Sequence, residues 1–101
     1  MQVEAIRKVG EAIRTRRLAA GHSQVAFSER ADVDRQYLSR LERGQQNPSL
    51  LLLMRIALEL DVTLVELLRD VRLDAAELRA VKRLSRGPRP AGHVGDGGDA
   101  E

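Results

Sequence analysis

The chain has 101 residues, of which 43% are hydrophobic, 32% charged and only 2% aromatic, with no cysteine and a net charge of +2. That is the length of one ordinary domain, whose core must be Leu, Val, Ile and Ala packed between helices, without disulfides or thiolate metal sites. The longest apolar run, residues 50–54, is far short of the roughly 18–20 residues a membrane-spanning helix needs.

Residues 1–17 carry acids and no apolar stretch, so no secretory signal and no membrane association are expected, and the cytoplasm is the expected location. Charge is unevenly spread. Residues 1–44 hold nine Lys/Arg against six Asp/Glu, residues 45–86 hold seven against six, and residues 87–101 hold one against three. The basic surplus therefore lies in the first half, although a surplus this small also suits a solvated helix face.

In chain order, Ile6, Val9 and Ile13 share one face of a first helix over residues 3–20, with Arg14 and Arg17 beside that stripe and Gly21 as its stop. His22, in the connection, has no second ligand near it and reads as a solvated or partly packed side chain rather than a metal ligand. Ser23 caps a second helix over residues 24–31. Three positions on stands Ala26, so no capping box is expected. Phe27 is the large anchor, and Ala26 and Ala31 are small enough for close helix packing. Asp32 stands where the chain must turn sharply, in a left-handed conformation that Asp tolerates. Val33 plugs the core beneath the turn, and Asp34 caps the next helix.

That third helix, over residues 34–43, has two faces. Leu38 and Leu41 point inward, while Arg35, Gln36, Ser39, Arg40 and Arg43 form rows at i, i+4 on the other side. Arg can fork onto guanine O6/N7 and Gln onto adenine N6/N7. The row has the chemistry of direct base reading in a DNA groove, and the same pattern also describes a plain polar surface helix.

Pro48 ends the following loop and Ser49 caps a fourth helix with Leu50, Leu53, Ile56, Ala57 and Leu60 on its inner stripe. Thr63 with Glu66 makes a capping box for a fifth helix over residues 63–71. Asp74 with Glu77 makes another for a sixth over residues 74–84, with Leu78, Val81 and Leu84 apolar. Beyond Ser85 the chain is rich in Gly, Pro and acids and reads as a disordered tail. The division is 1–70, 71–86 for the C-terminal helix and 87–101 for the tail. No clustered carboxylates, Ser/His/Asp arrangement, metal-ligand spacing or phosphate loop is visible, so no enzyme activity, catalytic residue, cofactor or metal is expected.

Leu51, Met54 and Leu58, at i, i+3 and i+7, form a second apolar edge on the fourth helix, to which Leu64, Val65 and Leu68 add. Such a surplus suits a homodimer interface or a protein partner held by the fourth to sixth helices. The sixth helix folding back over it is the alternative within one chain.

Taken together, Gly10, Ile13-Arg14, Arg17, residues 21–24, Val33, Tyr37-Leu38-Ser39, residues 41–44, Asn47-Pro48-Ser49, Leu53, Ile56-Ala57, Leu60 and Val62 resemble the Cro/phage-repressor type helix-turn-helix transcriptional regulators over residues 6–68. The resemblance implies an all-α fold: a compact five-helix, lambda-repressor-like DNA-binding domain with its helix-turn-helix at residues 23–44, extended by the C-terminal helix and the tail. It implies base reading by Arg35, Gln36, Tyr37 and Arg40, phosphate contact and positioning by Ser23, Gln24, Ser39, Arg43, Gln45 and Asn47, and a structural pair between Arg17 and Glu42. Double-stranded DNA is the implied partner, which would place the protein on the nucleoid when bound, and a regulator of this size is expected to dimerise on an inverted repeat, more as repressor than activator. A restriction-modification controller, a self-repressing antitoxin and a protein-interaction module on the same fold are the other readings. Ser28 and Asp32 stand where the family usually has Ala and Gly.

Overall fold

The structure is a computed structural model that describes residues 3–81. Six helices follow in order: α1 (Glu4–Ala19), α2 (Gln24–Ala31), α3 (Arg35–Glu42), α4 (Leu50–Glu59), α5 (Leu64–Leu67) and α6 (Ala75–Ala80). No strand occurs among the described residues. α1 and α2 both pack on α3, α4 lies against α2, and α5 closes the bundle against α1 and α4. The expected tail, and the far end of the expected sixth helix with Leu84, lie outside the described residues.

Four helices end in the same way, and this repetition shapes the chain. α1, α2, α3 and α4 are each followed by a residue with positive φ: Gly21 (81°), Asp32 (55°), Gly44 (75°) and Asp61 (58°). After each, the next amide reaches back to a carbonyl five residues earlier: His22 to Arg17, Val33 to Ser28, Gln45 to Arg40 and Val62 to Ala57, at 2.9–3.1 Å. With the positive-φ residue's own amide bonded three residues back, to Leu18, Glu29, Leu41 and Leu58 in turn, this double closure satisfies carbonyls that a helix end leaves open. In three of the four connections the following residue is at once the next N-cap. Ser23 accepts from the Ala26 amide, Asp34 from Tyr37 and Thr63 from Glu66. The sharp turn expected at Asp32-Val33 is one of these closures.

The core is built from Val9, Ile13, Phe27, Ala31, Leu38, Leu41, Leu53, Ile56, Ala57 and Leu67. Two expected inner residues are exposed instead. Ala26 is exposed because the buried arc of α2 runs through Phe27, Ser28 and Ala31. Leu50 is 61% exposed. It starts α4, and side chains lean toward a helix's N-terminus, here away from the core. No helix among the described residues is long and apolar enough to cross a membrane.

The last two helices are shorter than the apolar spacing suggests. After Leu67 the chain tightens: the Arg69 amide bonds to Glu66 and Val71 to Leu68, three residues back rather than four. The Thr63–Glu66 capping box forms in both directions. The one expected at Asp74–Glu77 forms by half. Asp74 accepts from the Glu77 amide at 2.9 Å, but the Glu77 carboxylate accepts from the Glu4 amide at 3.0 Å instead. The reason lies at the start of α1. Its N-cap is Val3, whose side chain can accept nothing, so a carboxylate from α6 serves that end, where the helix dipole favours negative charge.

Candidate nucleic-acid interface

α3 is seated by its inner face. Leu38 and Leu41 are fully buried, and the Asp34 side chain fixes the first turn by accepting from the Tyr37 amide at 3.0 Å. On the outer face Arg35 and Gln36 are exposed and Ser39 and Arg40 half-buried. Arg43 donates from Nη1 to Ser39 Oγ at 2.7 Å and from Nη2 to Gln45 Oε1 at 3.4 Å, which draws three of the positioning candidates into one short row. Tyr37 is half-buried, its ring packed against the core. Of the remaining candidates, Ser23 spends its hydroxyl oxygen on the α2 cap, and Asn47 is exposed in the loop before α4.

Beneath this face lies a buried polar network. Arg17 of α1 meets Glu42 of α3 through two bonds, Nε to Oε2 at 2.6 Å and Nη2 to Oε1 at 2.9 Å, with side chains only 5% and 1% exposed. A third guanidinium donor, Nη1, bonds to the His22 carbonyl at 2.7 Å. The forked geometry satisfies both carboxylate oxygens, which a buried pair must do to offset its desolvation. The network also fixes Gln24. Its Nε2 donates to Glu42 Oε1 at 3.1 Å. A carboxylate only accepts, so the Gln24 amide must present its nitrogen to Glu42, and the second N–H of that nitrogen remains for another acceptor. His22 packs its ring 6.0 Å from Phe27, tilted by 34°.

The helices approach closely where this network forms. A Cβ on Gly10 would fall 2.3 Å from the Leu41 carbonyl oxygen, and one on Gly44 would fall 2.8 Å from the Arg7 Cα. α1 can lie on the end of α3 only with bare backbone at these points. Beside them is an open cleft of about 550 Å³ lined by Arg7, Glu11, Arg14, Gln24, Ser39, Glu42 and Arg43. Arg7 is tied to Glu4 at 2.8 Å and to Glu11 at 2.6 Å. Hydrogen bonding to this guanidinium holds both carboxyls below the usual carboxylate range, and Arg7 itself is pushed up. Arg14 did not stand out among the sequence candidates. Its signal was there: Gly10, Arg14 and Arg17 are spaced i, i+4 and i+7, so all three lie on the side of α1 that meets α3.

Away from the cleft, Leu51, Met54, Leu58 and Val65 are exposed, at 77, 49, 73 and 77%. Leu64 and Leu68 are half-buried and pack against the core, so of the six residues of the expected interface four are open. α6 does not cover them. Its Glu77 sits at the N-terminus of α1, and its own Leu78 is 38% exposed.

Compared with known proteins, residues 13–67, just over half of the chain, match the family described as helix-turn-helix. The chain is 43% identical over 49 residues to the control protein C.MunI of a Mycoplasma species, a match covering 48% of this chain and 66% of that one, just under two thirds of the relative's length. Among solved structures it is similar to the restriction-modification controller protein C.AhdI from Aeromonas hydrophila, at 35% identity and a TM-score of 0.62, covering 64% of this chain and 98% of that one. It is also similar to SinR, the master regulator for biofilm formation, in its complex with DNA, at 38% identity and a TM-score of 0.57, covering 59% of this chain and 97% of that one.

Proposed function

The chain belongs to the helix-turn-helix family, and from that premise we propose that this DNA-binding transcriptional regulator works as a homodimeric repressor, laying α3 in the major groove at each half of an inverted-repeat operator. The observation that carries the reading is the outer face of α3. Arg35, Gln36 and Arg40 have no side-chain partners among the described residues, on a helix whose other face is locked into the core. Arg35, Gln36 and Arg40 read base edges, Tyr37 borders them, and Gln24, Ser39, Arg43, Gln45 and Asn47 meet the backbone, with Ser23 holding the first turn of α2 in place. Each good bidentate base contact supplies about 1–3 kcal/mol of discrimination. The protein acts in the cytoplasm, on the nucleoid.

Within this class the control of a restriction-modification system is the favoured role, supported by the resemblance to C.MunI and C.AhdI. Selecting bound duplexes from a random pool tests the docking. The expected product is an inverted repeat with half-site centres about 34 Å, one helical turn, apart. Arg40→Ala should relax preference at one position of each half-site, whereas Gln24→Ala should weaken all sequences alike. Selected sites without symmetry would sink the dimer, and an Arg40→Ala profile identical to the parent's would sink the assigned groove contact.

A further inference from the structure

We propose that the cleft between α1 and the helix-turn-helix is a binding site for a DNA phosphodiester, with Arg14 of α1 as its cation. The inference rests on the DNA-binding reading above and adds a contact from outside the helix-turn-helix.

Among the cations that α1 gives the cleft, charge singles out Arg14. Glu42 is neutralised by Arg17, at 2.6 Å. Arg7 is engaged by Glu4 and Glu11, and Lys8 lies 3.6 Å from the same Glu11. Arg14 is exposed, lines the cleft and has no carboxylate partner among the described residues. Of the two α1 cations that line the cleft, Arg7 and Arg14, it is the one that no carboxylate among the described residues engages.

Hydrogen bonding points the same way. Glu42 turns the Gln24 amide nitrogen toward itself, leaving an N–H donor in a cleft that Gln24 also lines. A guanidinium and an amide N–H in one open cleft suit an anionic oxygen. Position selects which anion. Ser39 and Arg43, on the far wall, belong to the face of α3 that meets the groove, and the strands bordering a major groove present phosphates. The other flank of α1 offers a contrast. There Arg16 donates to the Glu66 carbonyl at 3.3 Å and lines a separate groove shared with Lys8, Glu66 and Asp70.

Salt dependence separates a phosphate contact from a structural role. Each neutralised phosphate contributes about 0.9 to the slope of log affinity against log salt. Binding of the full chain to its selected operator duplex should be measured from 50 to 300 mM salt for the parent, Arg14→Gln, Arg14→Lys and Arg16→Gln, with thermal melts to verify folding. Arg14→Gln is expected to flatten the slope by about 0.9 per protomer and to weaken binding about eightfold per protomer at 0.1 M salt, which is what that slope implies. Arg14→Lys and Arg16→Gln should keep the parent's slope, and the order of preferred sequences should not change. An Arg14→Gln slope equal to the parent's, or equal flattening by Arg16→Gln, overturns the proposal while leaving the DNA reading intact. A parent with no salt-dependent duplex binding would overturn both.

Discussion

Gly10 shows how one residue can decide whether two helices meet. In an isolated helix, replacing Gly by Ala gains roughly 1 kcal/mol. Here the added methyl would stand 2.3 Å from the Leu41 carbonyl oxygen, which is backbone and cannot swing aside. Overpacking of this kind costs about 1–3 kcal/mol or more, so the clash should win. Gly10→Ala is expected to lower Tm by several degrees, and a rise in Tm on thermal unfolding would mean that α1 and α3 do not approach this closely. Ser28, where the family usually has Ala, is buried and donates to the Val25 carbonyl at 2.8 Å, so its hydroxyl is satisfied within its own turn. Asp32 is held in the left-handed region and lies 3.6 Å from Arg55 of α4, with its side chain almost fully exposed. Both departures fit the fold without altering it.

At the level of elements, the Arg17–Glu42 pair ties α1 to the end of α3. Removing one partner leaves the other charged and buried, at a cost of roughly 3–5 kcal/mol, against a total stability for a typical domain of about 5–15 kcal/mol. Arg17→Leu or Glu42→Leu alone should therefore bring the chain close to unfolding at physiological temperature. The double variant removes both charges and should recover part of the loss. Urea titrations of the four proteins give the coupling directly, and additive losses would show that the pair does not act as a unit. The same pair sets the orientation of Gln24, so a buried interaction between α1 and α3 prepares a donor at the start of α2, in the cleft beside them.

For the whole molecule, the exposed edge of Leu51, Met54, Leu58 and Val65 is the feature a lone chain least explains, since α6 docks at the opposite task of capping α1. If this edge joins two copies, a charge at its centre should separate them. Leu58 is exposed, so Leu58→Glu buries nothing and should leave the fold intact. The expected outcome is a folded monomer by light scattering with operator affinity reduced at least tenfold, because one α3 reads only half of the repeat. A parent already monomeric on its DNA would remove the premise.

Much of this was legible in the residues themselves. Caps, stops and the i, i+3, i+7 stripes are local, so Ser23, Asp34, Ser49 and Thr63 announce helix starts, and Leu38 and Leu41 define the inner side of α3 without reference to the rest of the chain. The resemblance to known regulators drew on the same local marks. Only the tertiary structure decided what depends on residues distant in sequence. It gave Glu77 to the start of α1 rather than to its own helix, 73 positions away. It left Leu50 outside the core, drew Leu64 and Leu68 into partial burial, and set Arg14 beside Gln24 in one cleft. Periodicity reports which residues share a face of a helix. What that face meets depends on how the helices cross, and here the crossing turns on bare backbone at Gly10 and Gly44.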